Sequence, residues 1–163
     1  MPMESLHELY VEEIKDLYSA ENQILKALPR MAKAATHPQL KKAITKHEKQ
    51  TQQHVARLER IAKMLGEKPT GKKCHGMEGL LEEGKELMKE KPEADVLDAG
   101  LISAAQHVEH YEIAGYGTCR TWAQLLGYNA QVELLQLTLD EEKQTDIDLT
   151  ILAESAINVD AEN

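Results

Sequence analysis

The chain of 163 residues contains no phenylalanine, five prolines and two cysteines, and aromatic residues make up only 4% of it. The two cysteines, Cys74 and Cys119, are too few for a disulfide framework, and neither belongs to a CxxC pair. No stretch approaches the roughly 18 apolar residues that a transmembrane helix needs. The first residues, MPMESLHELY, lack the basic start and apolar run of a signal peptide. We therefore expect a cytoplasmic protein with no membrane partner.

Basic residues are also scarce, because 19 lysines and arginines stand against 28 aspartates and glutamates, for a net charge of -9. This balance argues against nucleic acid as the main partner, since phosphate binding needs a basic surface, and it favours the approach of cations. The abundant residues, Glu, Lys, Leu and Ala, are helix formers. The length suits one domain with a sizeable core.

Apolar residues recur with a helical period in four long segments, at about 3–35, 39–65, 96–126 and 130–157. A short amphipathic helix is predicted at about 76–90. We expect a single domain over residues 1–158 and a flexible tail at 159–163. Pro38 and Gly66 are typical of a helix start and a helix end, respectively.

The connections between these helices predict how they pair. About three residues join the first long helix to the second, and about three join the third to the fourth, so each pair should form an antiparallel hairpin. The connection between the hairpins is long enough to cross the length of a bundle. Two hairpins and one long crossover that carries a short extra helix are typical of the all-α, ferritin-like four-helix bundle.

Polar residues in the first hairpin are predicted to lie level with one another. Glu21 precedes His37, at the centre of the first turn, by nearly the same distance in sequence as Gln50 and His54 follow it. Because each residue adds only about 1.5 Å along a helix, the remaining differences in depth are small. Glu21 therefore faces the segment that contains Gln50 and His54.

The second hairpin repeats this arrangement. Glu112 and Glu142 are equally far in sequence from Gly127, one before it and one after it. Glu109 lies one helical turn before Glu112, on the same face. The two hairpins thus bring carboxylates to the same depth of the predicted bundle.

Each long helix carries polar side chains near its middle that are predicted to face the core. The residues are Glu21 on the first helix; His47, Gln50 and His54 on the second; Glu109, Glu112 and Tyr116 on the third; and Glu142 on the fourth. Several carboxylates in one core would cost several kcal/mol unless they are protonated or neutralised by a cation. Oxygen ligands with one or two imidazoles suit Fe, Mn or Zn better than a thiolate-seeking metal.

Other interpretations of these residues stay open. The third helix has an alternative inward row through Ala104, Val108, Tyr111 and Trp122, which would turn Glu112 away from the core. His47 and His54 could be ordinary hydrogen-bonded histidines, and the DEEK segment at 140–143 resembles a solvated helix face.

Four segments carry a family resemblance. They read LYSAENQILKALP at 17–29, GMEGLLEEG at 76–84, AAQHVEHYEIAGYGT at 104–118 and LDEEKQTDIDLTILA at 139–153. With HEKQTQQHV of the second helix, the chain resembles the YciE/YciF family of bacterial ferritin-like proteins over nearly its whole length. The resemblance implies a ferritin-like bundle, a homodimer and production under stress.

The resemblance also implies a metal site, because relatives in the rubrerythrin and ferritin group hold two iron or manganese ions with a glutamate on each helix and ExxH histidines. By position, the ligands here would be Glu21, Glu109, Glu112 and Glu142, with Gln50 and His54 from the second helix. Possible supporting residues are His47, Tyr18, Tyr116 and Asp146. Two departures are Gln50, where the family generally has Glu, and Thr145, which leaves no ExxH after Glu142.

The leading hypothesis is a site for one or two Fe or Mn ions that oxidises Fe(II) with O₂ or peroxide, or removes peroxide. The chain lacks the CxxC…CxxC module of a complete rubrerythrin peroxidase. The alternative is a non-catalytic stress-induced bundle that dimerises or binds a partner through exposed Leu80, Leu81, Leu87 and Met88, its internal acids protonated or paired with histidines. A third reading is a site that takes Zn or Ca adventitiously.

Overall fold

The fold is known from a computed structural model, which describes residues 2–163. All regular elements in that range are helices. In chain order they are α1 (Leu6–Ala34), α2 (Pro38–Leu65), α3 (His75–Lys89), α4 (Ala94–Leu125), α5 (Asn129–Leu152), a π-helical segment (Ala153–Ile157) and α6 (Asn158–Glu162). The predicted all-α class is confirmed, and the long helices lie close to their predicted bounds.

The C-terminal end differs from the prediction. A single helix was expected to reach residue 157, but α5 ends at Leu152, and a segment with π-helical hydrogen bonding follows it. Because the π turn is wider, the position that faces the core shifts by about one residue along the sequence. Ile157 is consequently buried, whereas Ala156 is only partly buried. Residues 159–162 of the predicted flexible tail are helical and belong to α6.

Local sequence signals explain most of the helix ends. Ser5 and Glu8 form a reciprocal capping box at the start of α1. Pro38 occupies the first turn of α2, where its missing N–H costs nothing. Gly66 and Gly127 follow the ends of α2 and α4 with φ of 70° and 76°, a left-handed conformation that a side chain would disfavour.

The helices pack mainly in two pairs. Helix α1 packs most extensively against α2, and α4 against α5, while α1 also contacts α4 and α2 contacts α5. The short helix α3, within the long connection, covers α4 and α1. Its apolar residues are not the exposed surface that the sequence suggested: Leu80, Leu81 and Met88 pack against the core, and Leu87 reaches Gly100 of α4. No helix in residues 2–163 combines the length and apolarity that crossing a membrane requires.

The interior contains two apolar cores separated along the helix axes. One includes Ile24 and Leu28 of α1 with Leu101 of α4, and the other includes Leu17 of α1 with Leu58 of α2. The buried polar residues near the middle of the four long helices lie between the two cores in every helix.

The turn between α1 and α2 is fixed by a side chain from α4. Asp98 is 2% exposed. Its Oδ1 accepts a hydrogen bond from the Thr36 amide (2.8 Å), and its Oδ2 accepts from the Thr36 hydroxyl (2.6 Å) and the His37 amide (2.9 Å). One carboxylate thus satisfies three donors of the turn that joins the first hairpin.

Substituting Asp98→Ala should lower the free energy of unfolding by about 2–4 kcal/mol, because three donors would lose a charged acceptor. Urea denaturation of the chelator-treated protein measures this loss. Asp95→Ala, on an exposed position one turn earlier, is the matched control and should cost less than about 1 kcal/mol. Equal losses in the two variants would contradict this role for Asp98.

Candidate metal centre

Six ionisable side chains from the four long helices meet between the two apolar cores. Their exposed fractions range from 0 to 6%. We refer to them as the acid–histidine cluster, and its members are Glu21 of α1, His47 and His54 of α2, Glu109 and Glu112 of α4, and Glu142 of α5.

His54 lies at the centre of three carboxylates. Its Nδ1 is 2.8 Å from Oε1 of Glu142 and 3.3 Å from Oε1 of Glu21, whereas its Nε2 is 2.8 Å from Oε2 of Glu141. Only the contact with Glu141 has the direction of a hydrogen bond. The oxygens near Nδ1 lie close to this nitrogen but off the axis along which it could donate a proton.

His47 shows the same feature at its other nitrogen. Its Nε2 is 2.8 Å from Oε1 of Glu109, yet neither ring nitrogen of His47 has a hydrogen-bond partner. The cluster therefore presents Nδ1 of one imidazole and Nε2 of the other to neighbouring carboxylates.

The candidate ligand atoms fall into two groups that share one residue. Glu21, His54, Glu112 and Glu142 form the first group, and His47, Glu109 and Glu142 form the second. Within each group, one ligand atom from every residue lies within 4.8 Å of the others. Glu142 therefore belongs to both.

Unsatisfied hydrogen bonding is concentrated in this cluster. Nine buried side-chain nitrogen and oxygen atoms in residues 2–163 lack a partner, and all nine belong to its six residues. Both oxygens of Glu112 and both of Glu142 are among them. Buried polar atoms are rarely left unpaired, because the loss of water costs about 1–3 kcal/mol for each group.

A bound cation fits these observations. Two atoms that bind one ion at about 2.1 Å and at right angles lie about 3.0 Å apart. The N···O distances of 2.8–3.3 Å around His47 and His54 are close to that value. Four carboxylates and two imidazoles also match the ligand types that first-row metals prefer.

Burial dominates the acid–base properties of the α4 carboxylates. Removal from water raises the pKa of Glu109 and Glu112 well above its usual value, and the negative charges of Glu142 and Glu21 raise it further. Burial also opposes ionisation of Glu142, but its contacts with Glu112, Glu109 and His54 hold its pKa below the usual range. The surroundings thus favour ionisation of Glu142 and oppose ionisation of Glu109 and Glu112.

The two histidines respond differently to burial. For His54, burial favours the neutral ring, but Glu141, Glu142 and Glu21 outweigh it and raise the pKa to about 11. For His47, burial prevails over the attraction of Glu142 and Glu21, and its pKa is lowered. A cation that binds between the carboxylates would compete with the proton of His54.

Tyr116 supports the cluster from α4. Its buried hydroxyl donates a 2.7 Å hydrogen bond to Oε1 of Glu21, and burial, followed by the charges of Glu21 and Glu112, raises the pKa of this tyrosine. Tyr116 is therefore a neutral donor that orients one oxygen of Glu21.

The structure brings together five of the six candidate ligands that the sequence predicted, and His47, predicted as a supporting residue, joins them. The exception is Gln50, which is partly buried and whose Oε1 accepts a 3.4 Å hydrogen bond from Thr145. The inward row of α2 passes through Thr51 instead, which is fully buried and donates to the carbonyl of His47.

Two predicted supporting residues lie apart from the cluster. The Tyr18 hydroxyl donates to Glu59 of α2 at 3.1 Å. Asp146 accepts from Gln106 at 3.3 Å, and its other oxygen is 3.1 Å from Nε2 of His110. Both side chains are only partly buried.

The sequence interpretation missed Glu141 and Arg57. Glu141 accepts from His54, and Arg57 donates to both of its oxygens at 3.0 and 2.8 Å. Burial favours the protonated form of Glu141, but the hydrogen bonds from His54 and Arg57 outweigh it and lower the pKa of this carboxyl to about 2. The only sequence signal was the position of Arg57 one helical turn after His54.

The buried state of Glu112 makes the stability of the metal-free protein depend on pH. A carboxyl group with a raised pKa contributes its full stability below its ordinary pKa, and the contribution is lost as the pH rises through the raised value. Between about pH 5 and 9, in the presence of chelator, the free energy of unfolding should therefore fall more steeply for the wild type than for Glu112→Gln, by more than about 1 kcal/mol.

Urea denaturation at several pH values measures this difference. Glu133→Gln, at an exposed position of α5, should follow the wild-type curve. Parallel curves for the wild type and Glu112→Gln would contradict the buried, protonated state of Glu112.

The chain is similar to known proteins over nearly its whole length. Residues 5–162 match the family described as Domain of unknown function (DUF892). The whole chain is 42% identical over 164 residues to Protein YciF of Escherichia coli K12, covering 99% of that protein.

Solved structures are also similar. The crystal structure of the E. coli stress protein YciF has a TM-score of 0.92 and 41% identity, and the match covers 96% of this chain and 99% of that one. YcfI from Rhodopseudomonas palustris has a TM-score of 0.88 and 41% identity over 90% and 94% of the two chains. A Xanthomonas campestris protein, with a TM-score of 0.76 over 97% of each chain, is 20% identical and shows the fold alone. The chain belongs to the YciE/YciF family, as its sequence motifs predicted.

Proposed function

We propose that this chain is a ferritin-like, stress-associated protein that binds one or two iron or manganese ions in the acid–histidine cluster. The observation that carries this proposal is the set of nine buried nitrogen and oxygen atoms without partners, all in that cluster. The similarity to a relative described as a stress protein supports the stress-associated setting. The cytoplasmic location stays a prediction.

The helix pairing supports the ferritin-like part of the proposal. The most extensive contacts are those within the pairs α1–α2 and α4–α5, and the connection between the pairs contains α3. This is the order of two hairpins and one long crossover that is typical of ferritin-like bundles.

The two groups of ligand atoms define how many ions the chain would hold. Glu21, His54 and Glu112 would serve one ion, His47 and Glu109 a second, and Glu142 would be common to both. The histidines of both groups come from α2, and α4 supplies a Glu-x-x-Glu pair. This ligand set differs from the ExxH pattern of the rubrerythrin and ferritin group.

The bound metal would supply electrons to O₂ or peroxide, which is the chemistry that carboxylate-rich iron and manganese sites support. The chain's own residues provide a dry interior and a fixed set of charges. Ionised Glu142 would compensate for the positive charge of the metal ion, Tyr116 orients Glu21, and the apolar cores on both sides exclude water. No residue is assigned a catalytic role.

Metal content tests the proposal. We expect one or two Fe or Mn ions per chain, measured by plasma mass spectrometry, in protein produced in iron- and manganese-supplemented medium and purified without chelator. Glu142→Ala should lose most of this metal because both groups contain Glu142, and Glu112→Ala should lose that of the first group. Circular dichroism checks that each variant is folded.

The control for this experiment is Glu133→Ala, at an exposed position on the same helix as Glu142, which should retain wild-type metal content. A folded wild-type protein that stays empty after anaerobic addition of Fe(II) would contradict the proposal. The cluster would then be a set of protonated acids paired with histidines, as in the non-catalytic alternative.

The homodimer is a separate proposal. The outer face of α5 exposes three apolar side chains, Leu137 (51%), Ile147 (51%) and Ile151 (59%). Apolar residues grouped on one exposed helix face are typical of a surface that another protein covers, and a second copy of the chain is the occupant we propose.

Ile151→Glu should convert the dimer to a monomer, because the dimer interface would bury an unpaired charge. Light scattering coupled to gel filtration measures the mass. Gln52→Glu, on the exposed face of α2, should leave the mass unchanged. A wild-type monomer at all concentrations, or an Ile151→Glu dimer, would contradict this interface.

A further inference from the structure

Three residues outside the acid–histidine cluster form a continuous chain of hydrogen bonds that ends on one of its imidazoles. Arg57 donates through Nη1 to Oε2 of Glu141 (3.0 Å) and through Nη2 to Oε1 (2.8 Å). A third hydrogen bond, from Nη1 to the hydroxyl of buried Thr138 (3.1 Å), fixes the guanidinium against α5. Oε2 of Glu141 then lies 2.8 Å from Nε2 of His54.

The chemistry of these groups assigns the proton between Glu141 and His54. An ionised carboxylate can only accept hydrogen bonds, and an arginine that donates to both of its oxygens favours the ionised form. The proton in this contact is therefore on Nε2 of His54. The fixed proton on Nε2 leaves Nδ1 as the nitrogen that faces Glu21 and Glu142.

Two consecutive residues of α5 thus contact opposite nitrogens of one ring in different ways. Glu141 makes a directed hydrogen bond to Nε2, whereas Glu142 lies 2.8 Å from Nδ1 without hydrogen-bond geometry. His47 has no equivalent of Glu141, because its Nδ1 is buried without a partner. The two imidazoles are therefore held by different means.

We propose that Arg57 and Glu141 are positioning residues that make His54 a metal ligand through Nδ1. This inference rests on the proposed metal-binding function and assigns to it residues that touch no ion. A hydrogen bond between the second nitrogen of a ligating histidine and a carboxylate fixes the tautomer and the orientation of the ring. The side chains of Arg57 and Glu141 are 18% and 29% exposed, so their effect arises from directed hydrogen bonds rather than from charge alone.

The inference predicts a difference between two substitutions of the same residue. Glu141→Leu removes the acceptor, which leaves either nitrogen of His54 free to carry the proton. Glu141→Gln keeps an oxygen that can accept from Nε2 but removes the negative charge. Loss of such a partner typically weakens metal binding about 10–100-fold, and we expect the larger effect for Glu141→Leu.

The experiment uses the full chain, freed of metal, labelled with ¹⁵N in histidine and loaded with Zn(II) as a diamagnetic probe. Two-dimensional ¹H–¹⁵N spectra distinguish a metal-bound Nδ1 from a metal-bound Nε2, and chelator competition gives the Zn(II) affinity. We expect His54 of the wild type to be bound through Nδ1 with a proton on Nε2. In Glu141→Leu the affinity should fall about 10–100-fold, and the Nδ1-bound form should be lost or mixed with an Nε2-bound one.

Arg57→Met should change the spectra in the same direction as Glu141→Leu, because Glu141 loses both of its hydrogen bonds from Arg57. Arg120→Met is the matched control: Arg120 of α4 also donates to α5, at Gln136 (2.8 Å), and its other hydrogen bond goes to Gln124 rather than to the cluster. It should leave the affinity and the His54 spectrum unchanged.

Three outcomes would overturn the inference. Wild-type His54 could be bound through Nε2, or the Glu141→Leu protein could keep wild-type affinity and an Nδ1-bound His54, with or without a loss of stability. The third outcome is a wild-type protein that binds neither Zn(II) nor Fe(II), which would overturn the proposed function as well. The first two leave that function intact.

Discussion

Removing four carboxylates and two imidazoles from water is the energetic constraint on which the rest of this structure depends. The cost of burying one charge is on the order of several kcal/mol, and a stable fold has only about 5–15 kcal/mol in total. The protein limits this cost by raising the pKa of Glu109 and Glu112, which favours their neutral forms, by placing His54 between carboxylates, and by giving Glu21 a hydrogen bond from Tyr116. Nine buried nitrogen and oxygen atoms remain unsatisfied even so.

The burial of the apolar cores on either side offsets the free-energy cost of burying the acid–histidine cluster. Both cores draw residues from all four long helices, so each helix is fixed at two points, one above and one below its buried polar residues. A layer held in this way cannot relax by tilting one helix outwards. Its unpaired ligand atoms consequently stay directed at one another. In this arrangement the binding of a cation stabilises the protein most.

Two simple properties of the sequence account for most of the site. Counting residues from each hairpin turn gives the depth, and the apolar row of each helix gives the direction. Together they predicted that Glu21, His54, Glu112 and Glu142 meet, as they do in the structure. The alternative row on α4 is not the main inward one. Of its four residues only Val108 is buried, and Ala104, Tyr111 and Trp122 are partly buried, whereas Glu109, Glu112 and Tyr116 are all buried.

Depth and direction could not show which of two neighbouring polar residues faces the core. Gln50 and Thr51 are about 100° apart on α2, and the apolar residues on either side are compatible with both as the inward position. Glu141 shares its segment with Asp140 and Lys143, which is the pattern of a solvated face. Its pairing with Arg57 depends on how closely α2 and α5 approach, and a single sequence contains no measure of that distance.

The carboxylate of Asp98 has a geometric consequence as well as an energetic one. The two hairpins are joined only by a long connection, so the axial register between them is not set by the chain itself. Asp98 accepts hydrogen bonds from Thr36 and His37, and these bonds fix the position of the start of α4 relative to the turn between α1 and α2. A slip of a single helical turn, about 5.4 Å, would exceed every N···O contact in the acid–histidine cluster. This hydrogen-bonded contact, about three helical turns from Glu109 along α4, therefore acts together with the two apolar cores to align ligand atoms that come from opposite hairpins.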